Sequence, residues 1–156
     1  MELKPVWEYV SDMVMGGIST GRIQSEKIRG RTATRLTGQV SLENNGGFVQ
    51  MAFDLMPDGQ NFNADGWTGI ELDVIGNLEN YDCRLRTDLL ERPWQSYRTS
   101  LLAPGTWAPV RLPFVEFQPH RTTMPLNLTR IRRIGVLAIG REFEADVAVS
   151  SVKLFR

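Results

Sequence analysis

Apolar residues recur at every second position through most of the chain, and Gly, Pro and Asn interrupt this alternation at intervals of about ten residues. Strict alternation is typical of half-buried strands, and regular turn signals between short strands favour an all-β sandwich. The pattern predicts antiparallel strands at residues 5–10, 21–28, 33–42, 47–55, 68–75, 81–87, 95–102, 108–112, 133–139 and 147–155. The longest irregular segments, residues 56–67 and 113–125, are the places where a functional loop would leave the sheets undisturbed.

Helical periodicity is confined to a short turn around residues 126–132. There Asn127 or Thr129 is placed to cap a single turn whose Leu128 and Ile131 face inward. No internal repeat, low-complexity tract or linker divides the chain, and 156 residues are enough to bury one core. Residues 1–156 are therefore predicted to form a single domain.

The two strands on either side of residues 77–80 allow a prediction about register. In the first strand aliphatic residues alternate with acidic ones, and in the second apolar residues alternate with charged ones. A hairpin around this loop brings both apolar sets to one face. It also places Asp73 beside Arg84 and Glu71 beside Arg86, where opposite charges stabilise a sheet. We predict this pairing.

Composition and charge exclude several classes of protein. The chain has 18 basic and 18 acidic residues, so a large basic footprint for nucleic acid is not its dominant feature. One cysteine and one histidine exclude internal disulfides and Cys/His metal clusters, and neither a cofactor nor a metal is expected. No apolar run approaches the roughly 18 residues of a membrane span, and the N-terminus lacks signal-peptide order, so a cytoplasmic protein is expected.

Groups suited to catalysis are scarce. His120 lies between turn-forming residues in a predicted loop, and no nucleophile motif accompanies it. Cys83 falls on the apolar side of its strand and is interpreted as a small buried hydrophobe. No catalytic residue is predicted, and the protein is expected not to be an enzyme. A buried carboxylate pair in a cleft or an unexpected metal would reverse that expectation.

The run Asn44, Asn45, Gly46 and Gly47 consists of residues that tolerate positive φ, so its first role is a turn between strands. The alternative is that the two amides present hydrogen-bonding groups to a ligand at the end of the sheets. Both interpretations place this run in a loop.

A second, tight bend is predicted at Gly16 and Gly17, where glycine allows a close approach of the backbone. Asp12, four residues before Gly16, is interpreted as the cap of this bend. These residues are predicted to be structural.

Residues 92–97, with the sequence RPWQSY, combine aromatic, amide and guanidinium groups. That mixture suits sugars or peptides, because aromatic faces cover apolar surface while amides supply directional hydrogen bonds. Gln95, Tyr97 and Thr99 are predicted to share one face of a strand, which Arg86 reaches if its strand is a neighbour. The alternative is that the aromatic side chains pack in the core.

Two blocks carry a resemblance to a known family. They are residues 10–19 (VSDMVMGGIS), with Trp7 before them, and residues 37–48 (TGQVSLENNGGF). In order and spacing they resemble the complex I intermediate-associated protein family, named for NADH:ubiquinone oxidoreductase assembly. Later segments, including residues 85–87 (LRT), 94–95 (WQ) and 117–119 (FQP), extend the resemblance over nearly the whole chain. The resemblance implies a galactose-binding-like jelly-roll β-sandwich and a non-catalytic role.

Two functional hypotheses follow. The resemblance implies a chaperone-like or scaffolding module whose partners are respiratory-complex subunits or assembly factors, and this needs an exposed apolar patch. The alternative is a carbohydrate-binding module, which needs an accessible aromatic ring beside a polar cleft. The residues predicted to contact a partner or ligand are Asn44, Asn45, Arg86, Gln95 and Tyr97.

Overall fold

Two antiparallel sheets packed face to face form the protein. The computed structural model describes the backbone of all 156 residues and every side chain except that of Asn45. The strands are β1 (Glu8–Ser11), β2 (Thr20–Ile28), β3 (Arg31–Val40), β4 (Phe48–Asp54), β5 (Gly69–Gly76), β6 (Asn80–Thr87), β7 (Ser96–Leu102), β8 (Ala108–Pro113), β9 (Gln118–His120), β10 (Ile131–Ile139) and β11 (Phe143–Phe155). The predicted all-β jelly-roll sandwich is confirmed, and β9, a three-residue edge strand, is the one addition to the predicted strands.

The sheets differ in size and in the order of their strands. One has six strands in the order β1-β4-β10-β6-β7-β9, and the other has five in the order β2-β3-β11-β5-β8. Apolar side chains from both inner faces form one core, in which Tyr81, Tyr97 and Phe53 are the largest fully buried side chains. Burial of alternate residues along each strand therefore defines an inner and an outer face for each sheet.

The predicted pairing of β5 with β6 is wrong. β5 pairs with β11 and β8 in the five-stranded sheet, whereas β6 pairs with β10 and β7 in the six-stranded sheet. The apolar residues of the two strands do face one another, but they do so across the core. Alternation specifies which side of a strand is buried, and a facing sheet satisfies it as well as a neighbouring strand does.

Short 3-10 turns join several of the strands. They cover Asp12–Met15, Glu43–Asn45, Pro57–Gly59, Phe114–Glu116 and Leu128–Arg130. The last is the predicted turn, and Asn127 caps it by accepting a hydrogen bond at 3.0 Å from the Thr129 backbone N–H. Within the described residues, no helix has the length and apolar character needed to cross a membrane.

Candidate functional site

Asp12 joins three segments at one end of the sandwich. Its carboxylate accepts hydrogen bonds from the backbone N–H of Ser19 at 3.1 Å, of Gly47 at 2.6 Å and of Phe48 at 3.2 Å, and from the Ser19 hydroxyl. The Ser19 hydroxyl oxygen in turn accepts from the Ser41 backbone N–H at 2.8 Å. The side chain of Asp12 is fully buried, so these donors replace all of its hydration.

The hydrogen bonds set the charge state of this carboxylate. Burial alone would raise the pKa of Asp12, but donation by Ser19, Gly47 and Phe48 outweighs burial and lowers the pKa below the ordinary value of 3.8. Asp12 is therefore a buried anion at neutral pH. It does not cap the bend that follows it, because that cap is Ser11, whose hydroxyl accepts from the Met13 backbone N–H.

Two of the predicted structural glycines make room for Asp12. A Cβ at Gly17 would lie 2.5 Å from the Asp12 Cγ, and one at Gly46 would lie 2.6 Å from its Oδ2. Gly16 has a different requirement, since its φ of 86° lies in the left-handed region that glycine adopts without strain. Gly47 is buried and supplies the 2.6 Å hydrogen bond, so the two glycine pairs form one structure around a single carboxylate.

The same loops carry a group of exposed apolar side chains, which we call the apolar loop surface. Their exposed fractions lie between 46% and 75%. The members are Met13, Val14, Met15, Ile18 and Leu42. The segments that carry them are held together, because the adjacent residues Asp12, Ser19 and Ser41 are hydrogen-bonded to one another. Single exposed apolar residues are ordinary on protein surfaces, whereas an exposed apolar patch of several hundred Å² is typical of an interaction site.

Asn44 and Asn45 lie beside this surface, in the turn that carries the chain from β3 in one sheet to β4 in the other. Asn44 is exposed and has a φ of 53°. The side chain of Asn45 lies outside the described residues. The predicted turn is thus present, and its position leaves the proposal of a contact role at Asn44 open to test.

Arg86 lies at the other end of the six-stranded sheet, on its outer face. One nitrogen of its guanidinium donates to three backbone carbonyls of the following loop, those of Arg92 at 3.0 Å, Pro93 at 2.8 Å and Gln95 at 2.6 Å. The Gln95 side chain accepts from the Arg92 N–H and donates to the Arg121 carbonyl. Both predicted contact residues therefore hold the 88–95 loop in place.

Tyr97 lies on the opposite face of the same sheet. It pairs with Leu85, is fully buried, and donates its hydroxyl hydrogen bond to the carbonyls of Met124 and Pro125. Arg86 is the residue after Leu85, so the pleat points it to the outer face. The predicted shared face of Arg86 and Tyr97 is therefore wrong, and the core alternative describes Tyr97.

Trp94 is the accessible aromatic side chain at this end of the sheet. It is 55% exposed in the loop that Arg86 holds, and the Arg92 guanidinium lies 6.0 Å from its ring centroid. Asn44 and this loop belong to opposite ends of β4 and its neighbours, about 20 Å apart at 3.4 Å per residue along a strand. The structure therefore does not bring all the predicted contact residues into one site.

Between these ends, small or apolar residues lie in the middle of the outer face of the six-stranded sheet. Ala52 and Leu137 are 1% and 5% exposed although they lie outside the core cluster. Gly135 lies between them, and a Cβ there would be 3.0 Å from the Gln50 Oε1. The low exposure of Ala52 and Leu137 shows that longer side chains from neighbouring strands cover the middle of this face.

Cys83 and His120 are the remaining candidates for chemistry. Burial raises the pKa of the Cys83 thiol to about 12, consistent with an inert buried side chain. Burial, together with Arg84, Arg98 and Arg121, lowers the pKa of His120 below its ordinary value of 6.5. Among the described side chains, no three His, Cys, Asp or Glu residues converge on a common point.

Sequence reasoning missed the apolar loop surface. Met13, Val14 and Met15 follow Asp12 directly, and in a strand-rich chain such a run reads as core. The feature of the sequence that could have revealed the surface is the position of this run between Asp12 and two glycines. That position places the three residues in a tight bend, where their side chains point to solvent.

Solved structures with this fold include carbohydrate-binding modules from Clostridium thermocellum. A family 11 carbohydrate-binding module in complex with a β-1,3-1,4-mixed-linked tetrasaccharide superposes with a TM-score of 0.78 at 15% sequence identity, covering 99% of this chain and 94% of that chain. A family 30 module of the cellulosomal cellulase CEL9D-CEL44B gives a TM-score of 0.70 at 15% identity, with the same coverage. At this identity the likeness concerns the fold.

Sequence comparison gives a more specific result. No curated protein matches the chain in sequence. A family model, described as complex I intermediate-associated protein 30 (CIA30), matches residues 2–148, which include the Asp12 network, the apolar loop surface and the loop held by Arg86. The chain belongs to the complex I intermediate-associated protein 30 family.

Proposed function

We propose that this protein is a non-catalytic interaction module that binds a protein partner through the apolar loop surface, acting as a chaperone-like or scaffolding factor. The observation that carries the proposal is the exposure of five neighbouring apolar side chains on loops fixed by a buried carboxylate. The family's description as complex I intermediate-associated supports a partner among respiratory-complex subunits or assembly factors.

The composition of the surface suits partner binding. Methionine side chains are flexible and polarizable, and they are frequent on surfaces that accept apolar segments of varied shape. Two of the five members are methionines, and Val14, between them, is 75% exposed. Because Asp12 fixes the loops beneath, the surface is formed before binding and little ordering entropy is lost on association.

A substitution series tests the proposal. Replacing Met13, Val14 and Met15 by Ser removes most of the apolar loop surface while leaving Asp12 in place. Val6 and Val115 are 81% and 89% exposed elsewhere, so Val6→Ser with Val115→Ser is the matched control. Affinity purification from the source organism, with mass spectrometry, is expected to recover respiratory-complex proteins with the wild type and the control but not with the triple variant. Equal recovery from all three would contradict the proposal.

Carbohydrate binding is the second candidate, and one observation favours it. The Trp94 ring is 55% exposed in the loop that Arg86 and Gln95 hold in place. An accessible aromatic ring beside polar groups suits sugar rings, and the fold is shared with solved structures described as carbohydrate-binding modules.

The carbohydrate candidate is tested by thermal unfolding in the presence of mixed-linked β-glucan oligosaccharides. Ligand at about 100 times its dissociation constant adds about 2.7 kcal/mol to the free energy of unfolding. A rise in melting temperature that Trp94→Ala abolishes would support this candidate. An unchanged melting temperature at millimolar sugar would count against it.

A further inference from the structure

The outer face of the six-stranded sheet concentrates arginines in two adjacent rows. In one row Arg133 on β10 lies directly opposite Arg86 on β6. In the next, Arg84 on β6 lies directly opposite Arg98 on β7. Arg132, beside the irregular start of β10, and Arg121, just after β9, flank these rows. We call this set, Arg84, Arg86, Arg98, Arg121, Arg132 and Arg133, the arginine strip.

Placing like charges directly across neighbouring strands destabilises a sheet, so this arrangement opposes folding. The face has carboxylates for only part of the strip. Arg84 pairs with Asp82 at 2.9 Å, and Arg133 pairs with Asp54 at 2.9 Å and with Glu8 at 3.4 Å. Arg86 is bound to backbone carbonyls instead.

Three members of the strip have no acid partner. Among the described side chains, no carboxylate lies within ion-pair distance of Arg98, Arg121 or Arg132, and all three are exposed. These cations lower the pKa values of neighbouring basic groups. Burial, followed by Arg132 and Arg133, lowers the pKa of Arg86, and Arg84, Arg98 and Arg121 act in the same direction on His120.

We infer that the arginine strip binds an acidic segment of the protein partner, whose carboxylates complete the ion pairs that the sheet leaves open. Guanidinium groups hold carboxylates by paired, charge-assisted hydrogen bonds, and bringing carboxylates between Arg84 and Arg98 removes the like-charge contact. The inference rests on the proposed function and specifies the chemistry of its partner.

The strip and the apolar loop surface lie along one face, which favours a single protein ligand over a glycan. Phe48 and Ile139 pair at the apolar end of this face, and Arg133 pairs with Asp54 at the far end of the same two strands. Phe48 and Ile139 are half-buried and lie outside the core cluster, so they continue the apolar loop surface onto the sheet. A partner that contacts both ends therefore needs an apolar part and an acidic part.

A peptide titration tests the inference. A fluorescent oligoglutamate peptide is the probe, with an oligoglutamine peptide and polygalacturonate as comparisons. The strip variant is Arg84→Gln with Arg98→Gln, and the single Arg98→Gln variant alters only an exposed side chain in case the double variant fails to fold. The matched control is Arg22→Gln with Arg111→Gln, which removes two exposed arginines of the five-stranded sheet.

The expected result is oligoglutamate binding that weakens with added salt, that falls about tenfold or more in the double strip variant, and that is kept in the control. Absence of oligoglutamate binding, or an equal loss in both double variants, would overturn the inference. Binding of polygalacturonate alone would also overturn it and would indicate an acidic glycan.

Partner capture separates this inference from the proposed function. The inference predicts that capture is lost both in the strip variant and in the variant lacking Met13, Val14 and Met15. If capture needs the apolar loop surface but not the strip, the inference fails and the proposed function stands.

Discussion

On the outer face of the five-stranded sheet, Glu71 lies directly between Lys153 on β11 and Arg111 on β8, and the Arg111 Nε donates to Glu71 at 2.9 Å. On the outer face of the six-stranded sheet, the corresponding neighbours are Arg133 with Arg86 and Arg84 with Arg98. The first arrangement stabilises the sheet, and the second opposes it. The six-stranded face thus has two like-charged cross-strand pairs beside one opposite-charged pair, Arg133 with Asp54, which favours a functional role for the like-charged pairs.

The five-stranded face is also covered by the protein itself. Trp107 donates from its indole N–H to the Ile28 carbonyl at 2.9 Å and packs with Ala33, Ile75 and Ala148. Beside it, Arg35 lies between Glu26 and Asp146, at 2.9 and 2.7 Å. This face therefore has its own aromatic cover and paired charges. Among the described side chains, three arginines of the six-stranded face have no acid partner, and we propose this face for binding.

The largest effect is expected at Asp12, because its charge is fully buried whereas the arginines of the two outer faces are at least partly exposed. Asp12→Ala leaves the N–H groups of Ser19, Gly47 and Phe48 without their acceptor, while the Ser19 hydroxyl keeps the Ser41 carbonyl at 3.2 Å. We expect a loss of about 3 to 5 kcal/mol in the free energy of unfolding, because each buried donor left without an acceptor costs about 1 to 3 kcal/mol. Chemical denaturation measures it. A loss below about 1 kcal/mol would contradict the role assigned to this carboxylate.

Acid is expected to produce a smaller form of the same effect. The pKa of Asp12 is lowered on folding, so its stabilisation is complete above the unfolded value of 3.8 and is lost as pH falls through the folded pKa. The difference in unfolding free energy between wild type and Asp12→Asn should therefore shrink between about pH 6 and about pH 2. A difference that stays constant over this interval would show that Asp12 does not titrate as described.

A third prediction concerns the outer face of the five-stranded sheet. Glu71→Gln leaves Lys153 and Arg111 as like charges on either side of a neutral residue. We expect the free energy of unfolding to fall by about 0.2 to 1 kcal/mol, the range for cross-strand pairs. The ion pair is partly solvent-screened, since the Arg111 side chain is 62% exposed, so a value near the lower limit is expected. An increase in stability would remove the contrast between the two faces.

Much of the fold could be predicted from the sequence, because strand existence depends on local alternation. Each predicted strand is present, and the turn at Leu128–Arg130 forms where Asn127 can cap it. Sheet membership was not predictable in the same way. The pairing of β10 with both β4 and β6 joins residues far apart in sequence, and alternation along each strand does not specify its neighbours.

The candidate site was less predictable than the fold, because it depends on which strands are neighbours. Arg84 and Arg86 are visible as the polar positions of β6, but their like-charged partners Arg98 and Arg133 come from β7 and β10. The face of Tyr97 depends on its strand neighbours, so the sequence leaves open both a shared face with Arg86 and packing in the core, and the structure shows the second. The buried role of Asp12 depends on donors more than 30 residues away in sequence, such as Gly47.

Arg98→Glu converts the like-charged pair with Arg84 into an opposite-charged pair at an exposed position. If this face gives up stability for binding, the free energy of unfolding rises by about 0.2 to 1 kcal/mol while oligoglutamate affinity falls about tenfold or more. Arg22→Glu on the five-stranded face is the control, with oligoglutamate binding unchanged. Loss of stability, or unchanged oligoglutamate binding in Arg98→Glu, would contradict the claim that this face gives up stability for binding.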